Sequence, residues 1–91
     1  MNTNHHRIQW TRRATKEAAR LDAADRRRVV TAVGALADWP GCRETVDVKA
    51  LKGHAHQYRL RVGRYRVLFD VEDSLEVVSV ERVRKRDERT Y

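Results

Sequence analysis

Apolar positions along the chain recur first with the period of a helix and then with the period of a strand. Ile8-Gln9-Trp10 alternates apolar and polar residues, which predicts a short edge strand. Thr11 follows it and carries the side chain of a helix N-cap. Between Arg12 and Leu21, the residues Ala14, Ala18 and Leu21 are spaced by four and three, one face of a short helix. Asp22 caps a second helix starting near Ala23, with Val29, Val30, Val33, Leu36 and Ala37 as its inward stripe. Arg26, Arg27 and Arg28 fall mostly off that stripe, toward solvent. Proline disfavours helix in the residue before it, so this helix should stop ahead of Pro40, and Trp39-Pro40-Gly41 closes the helical half.

Residues 42–57 read as a connecting segment in which Val46-Asp47-Val48-Lys49 can be extended. From Tyr58 the period becomes two: Tyr58, Leu60 and Val62 point one way, Arg59 and Arg61 the other. Gly63-Arg64 suits a two-residue type II′ turn, with glycine first. A strand from Tyr65 to Val71 follows, then a turn at Glu72-Asp73-Ser74 and a third meander strand from Leu75 to Val83. Arg84 to Tyr91 is a polar end. The predicted fold is α+β: one domain over residues 1–91, a βααβββ order, with two helices on one face of a small, mainly antiparallel sheet and the other face polar.

Composition adds the charge. Lys and Arg number 20 against 13 Asp and Glu, a formal net charge of +7, and Arg far outnumbers Lys. Guanidinium groups are weakly hydrated and grip phosphate in a bidentate fork, so this balance favours phosphate and nucleic acid, although solubility alone also calls for charge. Cys42 is the only cysteine, which excludes an internal disulfide and fits a reducing cytoplasm. His5-His6 reads as part of a loose start, and the N-terminus lacks the apolar core of a signal peptide. No apolar run approaches the ~18 residues of a membrane span, so no membrane partner is expected. A chain this short leaves a thin core and only a shallow site.

The chemistry concentrates between Lys49 and Phe69. Lys49, Lys52, Arg59, Arg61, Arg64 and Arg66 are six cations with no acid among them. The hairpin register pairs Val62 with Tyr65, Arg61 with Arg66 and Arg59 with Leu68. Arg61 and Arg66 would repel each other unless an anion lies between them, and a phosphate would supply it. The plainer alternative is a solvated face of surface arginines. His54 and His56 stand in the preceding loop, where histidine suits acid-base work or RNA contact, though exposed loop residues are the plainer reading. No cysteine or acid with ligand spacing lies near them, so no metal is expected. The tail brings Arg84, Lys85, Arg86 and Tyr91, and a tyrosine can stack on a base or pass a proton; a frayed basic end is the alternative. Trp10 and Trp39 read as packing residues. Gly-rich phosphate loops, nucleophile elbows and zinc motifs are absent.

From Asp47 to Tyr91, the run DVKALKGHAHQYRLRVGRYRVLFDVEDSLEVVSVERVRKRDERTY resembles the C-terminal half of RelE/ParE-family toxins of bacterial toxin-antitoxin systems. IQWTRRATKEAARLD resembles their opening strand and first helix, so the likeness spans Ile8 to Tyr91. The central hairpin is its specific part. The resemblance to RelE-like members implies an endoribonuclease without cofactor that cuts mRNA on the ribosome: the 2′-OH attacks the adjacent phosphate and a 2′,3′-cyclic phosphate is left. It implies that Arg59 and Arg61 face the cleaved phosphate and that Arg66 stabilises the phosphorane. Lys85 or Arg86 would assist the leaving 5′-oxygen, and Tyr91 would stack on a base or help activate the 2′-OH. Lys49, Lys52, His54, His56, Arg64 and Arg84 would bind RNA. The chain departs from the pattern in carrying Arg where members often have Lys at positions 59 or 61. Arginine is a poor base, so Tyr91, Lys49, Lys52, a loop histidine or the ribosome must serve. A ParE-like gyrase poison is the alternative within the family, and a non-catalytic RNA- or ribosome-binding module the alternative outside it. The resemblance also implies a cognate antitoxin, which an acidic or amphipathic segment would join to the cationic face.

Overall fold

The computed structural model describes residues 5–85. Strand β1 (Arg7–Trp10) leads into helix α1 (Arg12–Ala19) and helix α2 (Ala23–Gly34). Two short 3-10 turns and strand β2 (Asp47–Ala50) follow, then β3 (Tyr58–Val62), β4 (Tyr65–Glu72) and β5 (Val77–Lys85). The sheet order is β1-β5-β4-β3-β2, with β1 parallel to β5 and the other pairs antiparallel. The α+β architecture is the one the pattern predicts, with one strand more, because the extended residues after Val46 form β2 and pair with β3.

Both helices begin where their caps place them. The Thr11 hydroxyl accepts the Ala14 N–H at 3.0 Å, and the Asp22 carboxylate accepts the Asp25 N–H at 3.0 Å, each satisfying a donor that the first helical turn leaves open. The predicted stripe of α2 is corrected at two points. Val30 is half exposed rather than inward, and the helix tightens into a 3-10 turn at Ala35–Asp38 before Pro40. Residue 6 is likewise no loose end: His6 is buried, its N–H donates to Ala37 O at 2.8 Å and its Nε2 lies 3.3 Å from Asp73 Oδ1.

The core lies between the helices and one sheet face. Val29, Val33 and Leu36 meet Leu60, Val67, Phe69, Val78 and Val80, with Trp39 edge-on to Tyr58 and Phe69. Gly63 turns the β3–β4 hairpin with a φ of 57°, a conformation that costs glycine nothing. The last strand starts at Val77 rather than Leu75, because Asp73–Leu75 forms a 3-10 turn and Glu76 takes a left-handed φ of 54°. Within β5, Phe69 pairs with Val80 but Leu68 with Arg82, so Glu81 is an extra residue in a bulge. The bulge lets Val80 and Val83, three apart, both face the core.

Candidate nucleic-acid interface

The sheet face away from the helices carries Lys49, Arg59, Arg61 and Arg66, while Arg82, in β5, turns to Glu17 of α1. Strand pairing aligns Asp47, Arg61, Arg66 and Arg84 in one row across β2, β3, β4 and β5, and Lys49, Arg59, Leu68 and Arg82 in the next. A residue directly opposite another shares its face of the sheet. The register therefore gathers charges that are up to 37 positions apart in the chain, from Asp47 to Arg84. A shallow groove of about 310 Å³ opens there, lined by Lys49, Leu51, Lys52, His54, Arg59, Arg61 and Arg66.

Asp47 holds part of this array. Its Oδ1 lies 3.4 Å from Arg59 Nη1 and its Oδ2 3.7 Å from Arg61 Nε. Arg59 is buried, with 8% of its surface exposed, so this carboxylate compensates a guanidinium that water barely reaches. The acid-free window of sequence thus acquires one acid from the neighbouring strand. Asp47 is the charged neighbour of these arginines that composition missed. Its only trace was the alternation Asp47-Val48-Lys49, which places Asp47 and Lys49 on one face.

The loop before β3 is pinned at several points. Leu51 N–H donates to Gln57 O at 2.9 Å, closing the loop on itself. Gln57 N–H donates to Asp70 Oδ1 at 2.7 Å, and its own Oε1 accepts the Val71 N–H at 2.8 Å. His54 Nδ1 accepts the His56 N–H at 3.1 Å. That bond occupies the Nδ1 lone pair and fixes the orientation of the ring at the groove.

Other predicted site residues lie elsewhere. Arg64 sits at the hairpin turn beside Asp25 and Arg28, on the helix side, and does not line the groove. His56 is turned to Asp70, with Nδ1 3.2 Å from Oδ2. Arg84 and Lys85 line a second cleft, of about 440 Å³, with Glu17, Arg20, Tyr65 and Arg82. There Glu17 accepts from Arg82 Nε and Nη2, at 3.0 and 2.8 Å, and from the Val83 N–H at 2.7 Å. Burial pushes the Glu17 carboxyl up, but these hydrogen bonds and the charges of Arg82 and Arg84 outweigh it and hold it below its ordinary 4.5. Tyr65 donates to Asp25 Oδ2 at 2.9 Å; that bond first, then burial, raises the phenol above its ordinary 10.0. Arg86 and Tyr91 lie outside the described residues.

Such a groove can hold a phosphodiester and stabilise added negative charge on it, because its guanidinium groups are mounted on strands and one of them is fixed by burial. None of its arginines can accept a proton at neutral pH. Among the described residues, no helix is long and apolar enough to cross a membrane.

Residues 8–90 match the family described as the ParE toxin of type II toxin-antitoxin systems, parDE. Similar solved structures include the archaeal RelE-RelB complex from Pyrococcus horikoshii OT3, at 28% identity and a TM-score of 0.77, covering 94% of this chain and 99% of that one. The RelBE2 toxin-antitoxin complex from Mycobacterium tuberculosis shares 24% identity at a TM-score of 0.76, with 92% and 94% covered. The intact E. coli RelBE complex shares 22% at 0.73, with 91% and 99% covered. Among curated proteins, no sequence matches the chain.

Proposed function

The chain belongs to the ParE toxin family of type II toxin-antitoxin systems, and from that premise we propose that it is an endoribonuclease that inhibits translation by cutting mRNA on the ribosome, in the cytoplasm. The observation that carries this reading is the direct pairing of Arg61 with Arg66 inside a groove also lined by Lys49, Lys52 and Arg59. Two guanidinium groups facing each other across a hairpin repel, and a phosphate between them turns that cost into binding.

In the proposed reaction the RNA 2′-oxygen bonds to the adjacent phosphorus, the bond to the 5′-oxygen breaks, and a 2′,3′-cyclic phosphate remains. Arg61 and Arg66 bracket the non-bridging oxygens as charge grows on the phosphorane, and Arg59, already set by Asp47, needs no reorganisation. Holding the 2′-oxygen in line with the leaving oxygen contributes comparably. Lys49, Lys52 and His54 bind flanking backbone. Arg86 assists the 5′-oxygen and Tyr91 stacks on a base or takes the 2′-proton. His56, Arg64, Arg84 and Lys85 lie outside the groove lining and would touch RNA only beyond the scissile phosphate.

A cognate antitoxin is the proposed partner, offering an acidic or amphipathic segment to the cationic face. Several of the similar solved structures are complexes of a toxin with its antitoxin, which supports that reading. A gyrase poison is the second reading. The parDE description of the matching family favours it, and so do arginines in the groove where a base is wanted.

One experiment separates the two. The chain is induced in bacteria, cuts in a translated mRNA are mapped by primer extension, and DNA supercoiling by gyrase is assayed in parallel. Codon-phased cuts that vanish in Arg66→Ala and Tyr91→Phe are expected. Gyrase inhibition with intact mRNA overturns the ribonuclease, and binding to ribosomes without either effect leaves a non-catalytic module.

A further inference from the structure

At the other end of the open sheet face, three ligand-bearing side chains converge from three segments. His56 ends the loop before β3, Asp70 lies in β4 and Glu81 is the bulge residue of β5. One ligand atom from each lies within 4.8 Å of the other two, and all three residues are half-buried. We propose that His56, Asp70 and Glu81 form a binding site for a zinc-like transition-metal dication, separate from the cationic groove.

The first argument is electrostatic. Asp70 and Glu81 bring two carboxylates together on neighbouring strands, where like charges are unfavourable. A dication between them reverses the sign of that interaction. The second is geometric. Ligands about 2.0–2.1 Å from a tetrahedral zinc ion stand ~3.3 Å apart. His56 Nδ1 and Asp70 Oδ2 are 3.2 Å apart. The Glu81 ligand atom lies within 4.8 Å of both, and a metal on Nδ1 leaves the imidazole proton on Nε2.

The third is the support around the ligands. Gln57 N–H already holds Asp70 Oδ1, leaving Oδ2 toward His56, and the Ser79 hydroxyl donates to Glu81 Oε2 at 2.7 Å. Ligating carboxylates are oriented by such neighbours. The donor set selects the ion: an imidazole beside carboxylates suits zinc and its neighbours, whereas calcium and magnesium take oxygen alone. A bound ion would tie residues 51–57 to β4 and β5, and that loop brings Lys52 and His54 to the groove. The site does not depend on the chain cleaving RNA.

The test uses the purified full chain with Zn²⁺ by calorimetry, and Co²⁺ as a coloured stand-in. Expected are one equivalent of saturable binding, tetrahedral Co²⁺ absorption and a Zn²⁺-dependent rise in melting temperature. His56→Gln, Asp70→Asn and Glu81→Gln should each weaken binding by about tenfold or more, while His5→Gln leaves it unchanged. Melting of each variant without metal confirms that it folds. Absence of saturable binding overturns the site. So does binding that survives all three substitutions, or that is lost only with His5→Gln.

Discussion

Arg61 and Arg66 stand directly opposite each other across the β3–β4 hairpin, and Asp47 is the residue opposite Arg61 on its other side. Only one of the two arginines therefore has an acid as its direct cross-strand neighbour in that row, because the residue opposite Arg66 on β5 is Arg84. A row of Asp, Arg, Arg and Arg across four strands carries an excess of positive charge. A phosphate brought into it lowers the repulsion between Arg61 and Arg66.

Arg66→Ala should lower mRNA cleavage by ~10²–10³, the usual effect of removing one preorganised donor at a developing anion. Its melting temperature should change only modestly, as for truncation of a side chain on an open sheet face. Single-turnover cleavage and a thermal melt on the same preparation test both halves. A large fall in melting temperature would show that Arg66 is structural.

Asp47→Asn should cost about 1 kcal/mol, because the pair is partly solvated on the Asp47 side while Arg59 is left with an uncompensated buried charge. Inorganic phosphate should stabilise this variant more than the wild type, because the negative charge that offset Arg59 and Arg61 has gone. Urea unfolding with and without phosphate measures it. Equal phosphate effects on the two proteins would contradict the assignment.

Glu17 has a folded-state pKa below its ordinary value, so its contribution is present above about pH 4.5 and is lost as pH falls below that. Glu17→Gln should be less stable than wild type at neutral pH by about 1–3 kcal/mol. The difference should shrink as the pH is lowered through that range. Unfolding curves from pH 7 to 3 give the comparison.

Tyr65→Phe removes the bond to Asp25 and should cost about 1 kcal/mol. The phenol is raised in the folded state, so its contribution is intact below pH 10 and is lost as pH rises through the folded value. The variant and wild type should therefore converge at high alkaline pH, as read from unfolding midpoints.

Local pattern sufficed where one element and its neighbour in sequence decide the outcome. The Thr11 and Asp22 caps, the helical stripe and the Gly63 hairpin were legible, and with the hairpin came the Arg61–Arg66 pairing, since a two-residue turn leaves only one register. Val30 went wrong because its place on the stripe depends on where α1 and the sheet end. The β2 strand was only a possible extended stretch, because a four-residue strand is decided by the partner it finds.

What the amino-acid order determined by itself was the fold class, the hairpin and the cationic face, all set by side-chain period and short-range turns. Tertiary structure alone decided which charges meet across strands. Asp47 reaches Arg59 and Arg61 only because β2 joins the edge of the sheet. His56 meets Asp70 and Glu81 only through the β3–β4–β5 pairing and its bulge. These contacts span 12 to 25 positions, and no local periodicity encodes a register between strands that the intervening chain must first bring together.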